Sequence, residues 1–273
     1  MQGYEIKPSK WLSFDLKELW KYRELFWFMA WRDIKVKYKQ TMLGFIWVIL
    51  QPLSFMIIFN VLWLKIMSPA DLDIPYPLFA YSGLIFWGLF SAGISGAGES
   101  LISNSNIIKK VYFPRVIIPS SSVLVALFDF VMTLFILVII IIYYHIKVRF
   151  FQMAGLFSLS ILVAAFSSLG LGLIITTATL RYRDFKYVMP FFLQAFFFVS
   201  PVVYPLAVKS HGTLKFIMSL NPLAGAINIA RASFSDKAAD WNMIGFTVAI
   251  TFFLFIVGLT LFRRFESQYS DLL

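Results

Sequence analysis

Residues Val116–Tyr144 read VIIPSSSVLVALFDFVMTLFILVIIIIYY, and this stretch decides the fold. After its first serines it is almost wholly aliphatic or aromatic, and its charged side chain is Asp129. A helix of about 20 apolar residues spans the hydrocarbon core of a bilayer. The stretch therefore predicts a transmembrane helix that carries a single carboxylate.

The composition of the whole chain also indicates that it lies in a lipid bilayer. Hydrophobic residues make up 60% of the 273 residues, charged residues make up 14%, and the mean hydropathy is +0.79. A soluble domain has roughly 45–50% apolar and about 25% charged residues. A globular core cannot hide so much apolar surface, so we predict one all-α integral membrane domain.

The sequence offers few residues for disulfide bonds, cysteine nucleophiles or metal sites. The absence of cysteine excludes disulfides, thiolate nucleophiles and cysteine metal sites, and the two histidines, His145 and His211, are far apart in sequence. The formal net charge of +10 suggests nucleic acid in a soluble protein. Here the basic residues lie between apolar runs, so we expect no nucleic-acid partner and no metal.

Six apolar runs are long enough to cross a bilayer as helices. A seventh stretch, Leu214–Phe234, is interrupted by Asn221-Pro222 and Arg231. We predict that it forms a re-entrant pair of short gate helices within about residues 209–235, where backbone can lie against protein or a water-filled cavity. The six predicted spans are Leu43–Leu64, Leu78–Gly98, Val116–Tyr144, Phe150–Leu180, Val188–Val208 and Met243–Phe262.

The distribution of basic residues predicts the orientation. With six spans and a cytoplasmic N-terminus, most of the 24 Lys and Arg residues lie on the cytoplasmic side. A seventh span would place Arg263 and Arg264 outside and weaken this asymmetry. We therefore predict a cytoplasmic segment 1–42, a six-span domain 43–262, and a cytoplasmic tail 263–273. No residues resembling a signal peptide precede the first span.

An amphipathic helix is predicted before the first span, over Ser13–Trp31. Ser13 is a suitable N-cap, and Leu16, Leu19 and Trp20 recur at helical spacing between charged residues. This pattern indicates a helix at the cytoplasmic membrane interface. The alternative is an ordinary soluble helix that packs on a partner.

Motifs of catalysis are missing from the sequence. There is no G-x-x-x-x-G-K-[ST] phosphate loop, no H-E-x-x-H and no G-x-S-x-G. The chain is therefore predicted not to be an enzyme. Glycines within the apolar runs indicate close helix packing through small residues. They are Gly93, Gly96, Gly98, Gly170 and Gly172.

Asp129 allows two interpretations. A carboxylate inside a span is costly and is often functional, as in a proton relay or a translocation path. Alternatively it is a protonated or hydrogen-bonded structural group that faces a neighbouring helix. We favour the structural interpretation, because the spans offer no Lys, Arg or His to pair with it.

Several segments, in order, resemble ABC-2-type permeases of polysaccharide export. The first run is Arg32–Gln40 (RDIKVKYKQ) followed by Leu43-Gly44, Trp47 and Gln51-Pro52-Leu53. The loop Asn104–Arg115 (NSNIIKKVYFPR) with Pro119 is similar to that family's loop between spans two and three. Later matches are Arg181–Asp184 (RYRD), Ser200–Pro205 (SPVVYP), and Asn221-Pro222-Leu223 with Arg231.

The resemblance covers nearly the whole chain and is greatest to lipopolysaccharide O-antigen exporters; capsule and teichoic-acid exporters share much of the pattern. It implies a homodimer in the bacterial inner membrane with two separate ATP-binding subunits, which would bind the ATP and magnesium, so that this chain needs no cofactor. It also implies a polyprenyl-pyrophosphate-linked polysaccharide moved from cytoplasm to periplasm. An interfacial helix, a cytoplasmic coupling helix and periplasmic gate helices belong to this architecture.

Two groups of residues acquire candidate roles from this resemblance. Residues Glu99–Arg115 are the candidate dock for the ATPase, as opposed to a passive surface loop. The basic cluster at the bilayer entry is a candidate pyrophosphate site, as opposed to a topology signal that attracts anionic lipids. The dock residues are Asn104, Asn106, Ile107, Lys109, Lys110, Phe113 and Arg115, and the basic cluster is Arg32, Lys35, Lys37 and Lys39.

Candidate path residues are aromatic or helix-breaking. Aromatic faces stack on the apolar faces of sugar rings, and proline breaks helices where a gate forms. We predict a path or gate that includes Phe86, Trp87, Phe197, Tyr204, Pro201, Asn221 and Pro222. Rival functions are a secondary carrier, a membrane-embedded glycosyltransferase and a scaffold for polymer assembly.

Overall fold

The computed structural model describes residues 16–39, 44–66, 72–147, 149–182, 184–205, 220–235, 240–266 and 269, with the side chains of 16–18 and 63–66 excepted. All regular structure in these residues is helical. The helices are α1 (Leu16–Lys21), α2 (Arg23–Lys39), α3 (Gly44–Ile66), α4 (Tyr76–Ser103), α5 (Ser105–Ile108), α6 (Ile117–Tyr143), α7 (Phe150–Arg181), α8 (Phe185–Val199), α9 (Pro222–Ala232) and α10 (Trp241–Phe265).

Within the described residues, five helices are long and apolar enough to cross a membrane. They are α4, α6, α7, α10 and the part of α3 over Gly44–Leu62. The chain is a multi-pass membrane protein, and five of the six predicted runs lie on these helices.

The fifth predicted run, Val188–Val208, does not form one long helix. Its helix α8 begins at Phe185 and ends at Val199, a length of about 22 Å that falls short of the roughly 30 Å hydrocarbon core. Ser200 is extended because a residue that precedes proline, here Pro201, is disfavoured in the helical region. The predicted length was therefore wrong, while residues 206–208 lie outside the described part.

Helix α4 is the centre of the bundle and packs against α6, α7 and α9, while α7 packs along α10. Small residues allow these close contacts, as the sequence predicted. A Cβ atom on Gly172 would lie 2.7 Å from Ala97 Cβ, and one on Gly93 would lie 2.7 Å from Ser168 Oγ. At the α7–α10 crossing, a Cβ on Gly258 would lie 2.2 Å from Gly170 O.

The consecutive long helices run in alternating directions and define two ends of the bundle. At the first, the loop end, a buried cluster joins the last turns of α4, α7 and α10 to the start of α6. The other, the opposite end, contains the start of α4, the end of α8 and the short helix α9. Of the predicted pair of re-entrant helices, α9 is described; residues 209–219 lie outside the described part.

The predicted N-terminal helix is two helices. After α1, the chain turns at Tyr22, and α2 then continues to Lys39, eight residues beyond the predicted end at Trp31. Met29 and Ala30 are buried, whereas Trp27 and Phe28 are more than half exposed. Exposed aromatic side chains suit a membrane interface. The predicted cap Ser13 lies outside the described residues.

The substitution Gly258→Ala tests the α7–α10 crossing. The added methyl group has to push apart two backbones, so we expect a loss of about 1–3 kcal/mol and a lower melting temperature of the detergent-solubilised protein. Gly245→Ala on the same helix is the matched control, because nothing lies within 4 Å of its added Cβ. Equal melting temperatures for the two variants would contradict this packing.

Candidate functional site

A cavity of about 750 Å³ lies between α3, α4, α6 and α8. Its wall is mostly apolar and aromatic, with a few polar side chains among them. Of the predicted path residues, Trp87 and Phe197 line it, and their rings meet edge to face at 5.2 Å. Phe86 is fully buried behind this wall, against the rings of Phe130 and Phe157.

The cavity also contains polar residues that were not predicted as path residues. Gln51, which was noted only as part of a family motif, lines it together with Ser91, Ser95 and Gln194. A glutamine inside an apolar run, as at Gln51 and Gln194, is a signal that was available in the sequence. A cavity of this size, with mostly apolar walls and a few polar groups, is typical of a site for a small organic ligand or part of a larger one.

Asp129 has a charged partner, contrary to expectation, and it also has the kind of hydrogen bond that the structural interpretation expected. It forms an ion pair with Lys37 at 2.5 Å and accepts a hydrogen bond from the Tyr38 hydroxyl. Burial, and next the hydrogen bond to this carboxylate, raise the pKa of Tyr38, so that the phenol remains a donor. The partners come from the last turns of α2, which packs along α6 and extends beyond the interfacial helix predicted up to Trp31.

The four predicted basic residues therefore divide between two surfaces. Arg32, Lys35 and Lys39 line a shallow groove of about 320 Å³, together with the aromatic rings of Phe28 and Trp31. Lys37 instead lines the central cavity. Within the groove, the Lys35 ammonium lies 5.4 Å from the centre of the Trp31 ring, a cation–π distance.

The predicted dock combines buried anchors with exposed side chains. Its helix is a single turn, Ser105–Ile108, which follows directly on α4. Ile108 and Phe113 are buried in the same cluster as Met29 of α2. Asn104 accepts a 2.6 Å hydrogen bond from Arg32. Among the residues left exposed are Asn106, Lys109, Lys110, Val111 and Tyr112.

Glu266, the residue that follows α10, forms hydrogen bonds with the last residue of the dock. Arg115 donates from its backbone N–H to the Glu266 carboxylate at 2.9 Å and from its guanidinium to the Glu266 carbonyl. The Tyr269 hydroxyl donates to Phe262 O at 3.0 Å, and burial raises the pKa of Tyr269. Sequence analysis missed Glu266 and Tyr269, since residues so far apart in the chain offer no local pattern.

At the opposite end, Arg231 holds three segments together. Its guanidinium donates to the carbonyls of Phe79 at 2.9 Å, Pro201 at 2.9 Å and Val202 at 2.6 Å, and lies 3.4 Å from the centre of the Phe79 ring. We call this arrangement the Arg231 clasp. Arg231 is buried, so these bonds form away from water.

The remaining predicted gate residues surround the clasp. The side-chain oxygen Oδ1 of Asn221 caps α9 by accepting from Leu223 N at 3.0 Å and Ala224 N at 3.3 Å, while its side-chain Nδ2 donates to Ser200 Oγ at 2.8 Å. Pro222 is the first residue of α9, a favourable position for proline. Tyr204 donates to Phe198 O at 2.6 Å. The path and gate residues other than the buried Phe86 thus lie in two places, the cavity and the surroundings of the clasp.

Comparison with known protein families identifies the family of this chain. The sequence profile of the family described as ABC-2 type transporter matches residues 24–235. The chain belongs to this family. The resemblance seen in the motifs is thereby confirmed, and the match to this ABC-2 chain extends from α2 to the end of the α9 region. Among the described residues, no group of three or more His, Cys, Asp or Glu is placed to hold a metal ion.

Relatives of this ABC-2 chain are named for polymer transport. "O-antigen export system permease protein RfbA" of Klebsiella pneumoniae is 28% identical over 89% of this chain and 92% of the relative. The RfbA protein of Myxococcus xanthus is 25% identical over 94% and 98%. "Polysialic acid transport protein KpsM" of Escherichia coli is 24% identical over 86% and 91%.

The clasp is tested by Arg231→Gln. This change leaves buried carbonyls of α4 and of the α8–α9 connection short of donors, so we expect a loss of about 2–5 kcal/mol and a lower melting temperature. Asn228→Ala, a half-buried position on the same helix, is the control and should melt near the wild type. Wild-type melting of Arg231→Gln would show that the clasp contributes nothing to stability.

Proposed function

We propose that this chain is the membrane subunit of a polysaccharide exporter powered by a separate ATP-binding subunit. The observation that carries the proposal is the cavity between α3, α4, α6 and α8 in an ABC-2 chain whose relatives are named for O-antigen and polysialic acid transport. Aromatic rings such as Trp87 and Phe197 offer flat apolar faces on which sugar rings stack, and these rings form few strong hydrogen bonds with a sugar. A polymer therefore slides along them rather than binding tightly.

The proposed substrate is an O-antigen-like polysaccharide linked to a polyprenyl pyrophosphate, moved from cytoplasm to periplasm across the bacterial inner membrane. RfbA relatives support this choice, since they align over most of both chains. KpsM relatives make a capsule-type polymer the second candidate. In this proposal the chain itself performs no chemistry, and its partner binds ATP and magnesium.

The proposed assembly is a homodimer with two ATP-binding subunits. The exposure of α3 is an argument for a second copy of the chain. Very few residues of α3 are buried, although this helix forms one wall of the cavity. Phe55 of α3 and Phe198 of α8 line the cavity and are 44% and 67% exposed. A second copy would cover these apolar side chains and close the cavity into a channel.

The loop end is the proposed cytoplasmic side. Lys109, Lys110, Arg181, Arg263 and Arg264 all lie there, in keeping with the excess of basic residues on cytoplasmic surfaces. Both termini are then cytoplasmic, and the Arg231 clasp faces the periplasm. We propose that the dock turns closure of the ATPase into rigid-body movement of the helices, because its anchors are buried among α2, α4, α6 and α10.

Gene deletion and complementation test the exporter proposal. Deletion should leave lipid-linked polymer in the cytoplasm, and the wild-type chain, which should co-purify with the ATPase, should restore surface polymer. Trp87→Ala with Phe197→Ala should lower export several-fold because the wall loses its stacking faces. Phe253→Ala, an exposed residue of α10, is the control. Normal surface polymer in the deletion strain would refute the proposal.

The dock is tested by combining Lys109→Glu with Lys110→Glu. Reversing two exposed charges should abolish most of the export and the co-purification of the ATPase, while membrane insertion persists. Lys186→Glu is a charge-matched control, because it is exposed at the start of α8 and lies outside the dock. Export at the wild-type level in the double variant would show that the ATPase docks elsewhere.

A further inference from the structure

The turn that leads from the dock into α6 has an acceptor from a distant part of the chain. Arg115 lies two residues before Ile117, the first residue of α6, and donates its backbone N–H to a carboxylate oxygen of Glu266 at 2.9 Å. Its guanidinium donates to the backbone carbonyl of the same residue. Two hydrogen bonds between one pair of residues fix the orientation of this turn relative to Glu266.

The local sequence offers no substitute for this carboxylate. The first turn of α6 carries no acidic side chain, and the residue at its N-cap is Val116, whose side chain has no acceptor. The N-terminal end of a helix carries unsatisfied N–H groups and a partial positive charge, so a carboxylate beside it is favourable. Glu266 supplies that negative charge from the residue that follows α10.

Tyr269 fastens the residues after α10 to the bundle. Its side chain is fully buried, its ring meets that of Phe262 edge to face at 5.1 Å, and its hydroxyl donates to Phe262 O at 3.0 Å. The same hydroxyl lies 2.9 Å from Thr177 Oγ1 of α7. Tyr269 also belongs to the buried cluster that contains Phe113 of the dock. Glu266 is thus anchored on both sides, by α10 before it and by Tyr269 after it.

The dock consequently has two connections to the bundle at its C-terminal end. The backbone leads from Arg115 directly into α6, which forms part of the cavity wall. The hydrogen bonds lead through Glu266 to α10, which lies so close to α7 that a Cβ on Gly258 would lie 2.2 Å from Gly170 O. Such close packing transmits a displacement with little deformation. A force on the dock therefore has a route to α7 and α10 as well as to α6.

We propose that Glu266 and Tyr269 are positioning residues for transport: they brace the dock at Arg115, so that movement of the ATPase reaches α7 and α10 together with α6. This inference rests on the proposed function, because it needs a motor that acts on the dock. The chain forms no helix between Ile108 and Ile117. Without the brace this segment bends under load, and part of the movement is lost before it reaches the spans.

Loss of the brace and loss of stability have different effects on the transporter. A weaker brace should leave attachment of the ATPase and ATP hydrolysis near the wild-type level, because the exposed side chains of Lys109 and Lys110 are unchanged, while less polymer moves for each ATP hydrolysed. A variant that is only less stable should lose both activities in proportion to the folded transporter that remains. The ratio of polymer exported to ATP hydrolysed therefore distinguishes the two roles.

The experiment measures this ratio for the complete transporter, with its ATPase subunit, in proteoliposomes that contain lipid-linked polymer purified from the deletion strain. Glu266→Ala should lower the ratio several-fold, because it removes the acceptor of the Arg115 N–H. Glu266→Gln keeps a side-chain oxygen that accepts this hydrogen bond and should recover most of the loss. Glu24→Ala, which removes an exposed carboxylate from the first turn of α2, is the matched control and should keep the wild-type ratio.

Hydrogen exchange and a second variant give independent tests of the brace. In Glu266→Ala the backbone N–H of Arg115 should exchange with solvent several-fold faster, while N–H groups in the middle of α10 keep their protection. Tyr269→Phe keeps the ring in the buried cluster but loses the bond to Phe262 O, so it should shift both measurements in the same direction by less. If melting shows that Glu266→Ala does not fold, Tyr269→Phe decides the question.

Three results would overturn the proposal. They are a wild-type ratio in Glu266→Ala, a loss of ATP hydrolysis that matches the loss of export, and a ratio in Glu266→Gln as low as that in Glu266→Ala. Failure of the proposed function gives a different result. In that case the wild-type transporter itself exports no polymer when ATP is supplied, or the variant with both Lys109→Glu and Lys110→Glu exports as well as the wild type.

Discussion

A backbone carbonyl inside a membrane needs a donor, and the short helix α8 depends on how this need is met. Where α8 stops at Val199, the following carbonyls leave the helical pattern. Arg231 supplies donors to Pro201 and Val202 and joins them to Phe79 of α4. The connection that follows α8 and the position of α9 beside α4 both depend on this one guanidinium.

Close helix packing is the second constraint on the architecture, after the hydrogen bonding of backbone carbonyls. The rigid part of the bundle is α4, α7 and α10, where backbones approach through glycine and serine. The helices α3 and α8 carry large exposed side chains and make few internal contacts. The cavity lies between α4 and α6, which pack closely on each other, and the more exposed helices α3 and α8.

The sequence predicted those features that depend on local composition. Spans α4, α6, α7 and α10, the glycine contacts and a short helix within residues 209–235 follow from apolar run length, small residues and polar interruptions. It did not predict the ion pair, because the depth of Lys37 depends on α2 packing along α6. Nor did it predict the partners of Arg115, since Glu266 is 151 residues away along the chain. Tertiary placement decides such contacts, and no local pattern encodes it.

The path of α2 has a mechanical consequence. Met29 and Arg32 fasten α2 to the dock, and the dock leads directly into α6, which carries Asp129. Both members of the ion pair are thus carried by helices that are joined to each other near the loop end. In the proposed mechanism, a movement of the dock would carry α2 and α6 together, so the part of the cavity wall that they form would move as one unit.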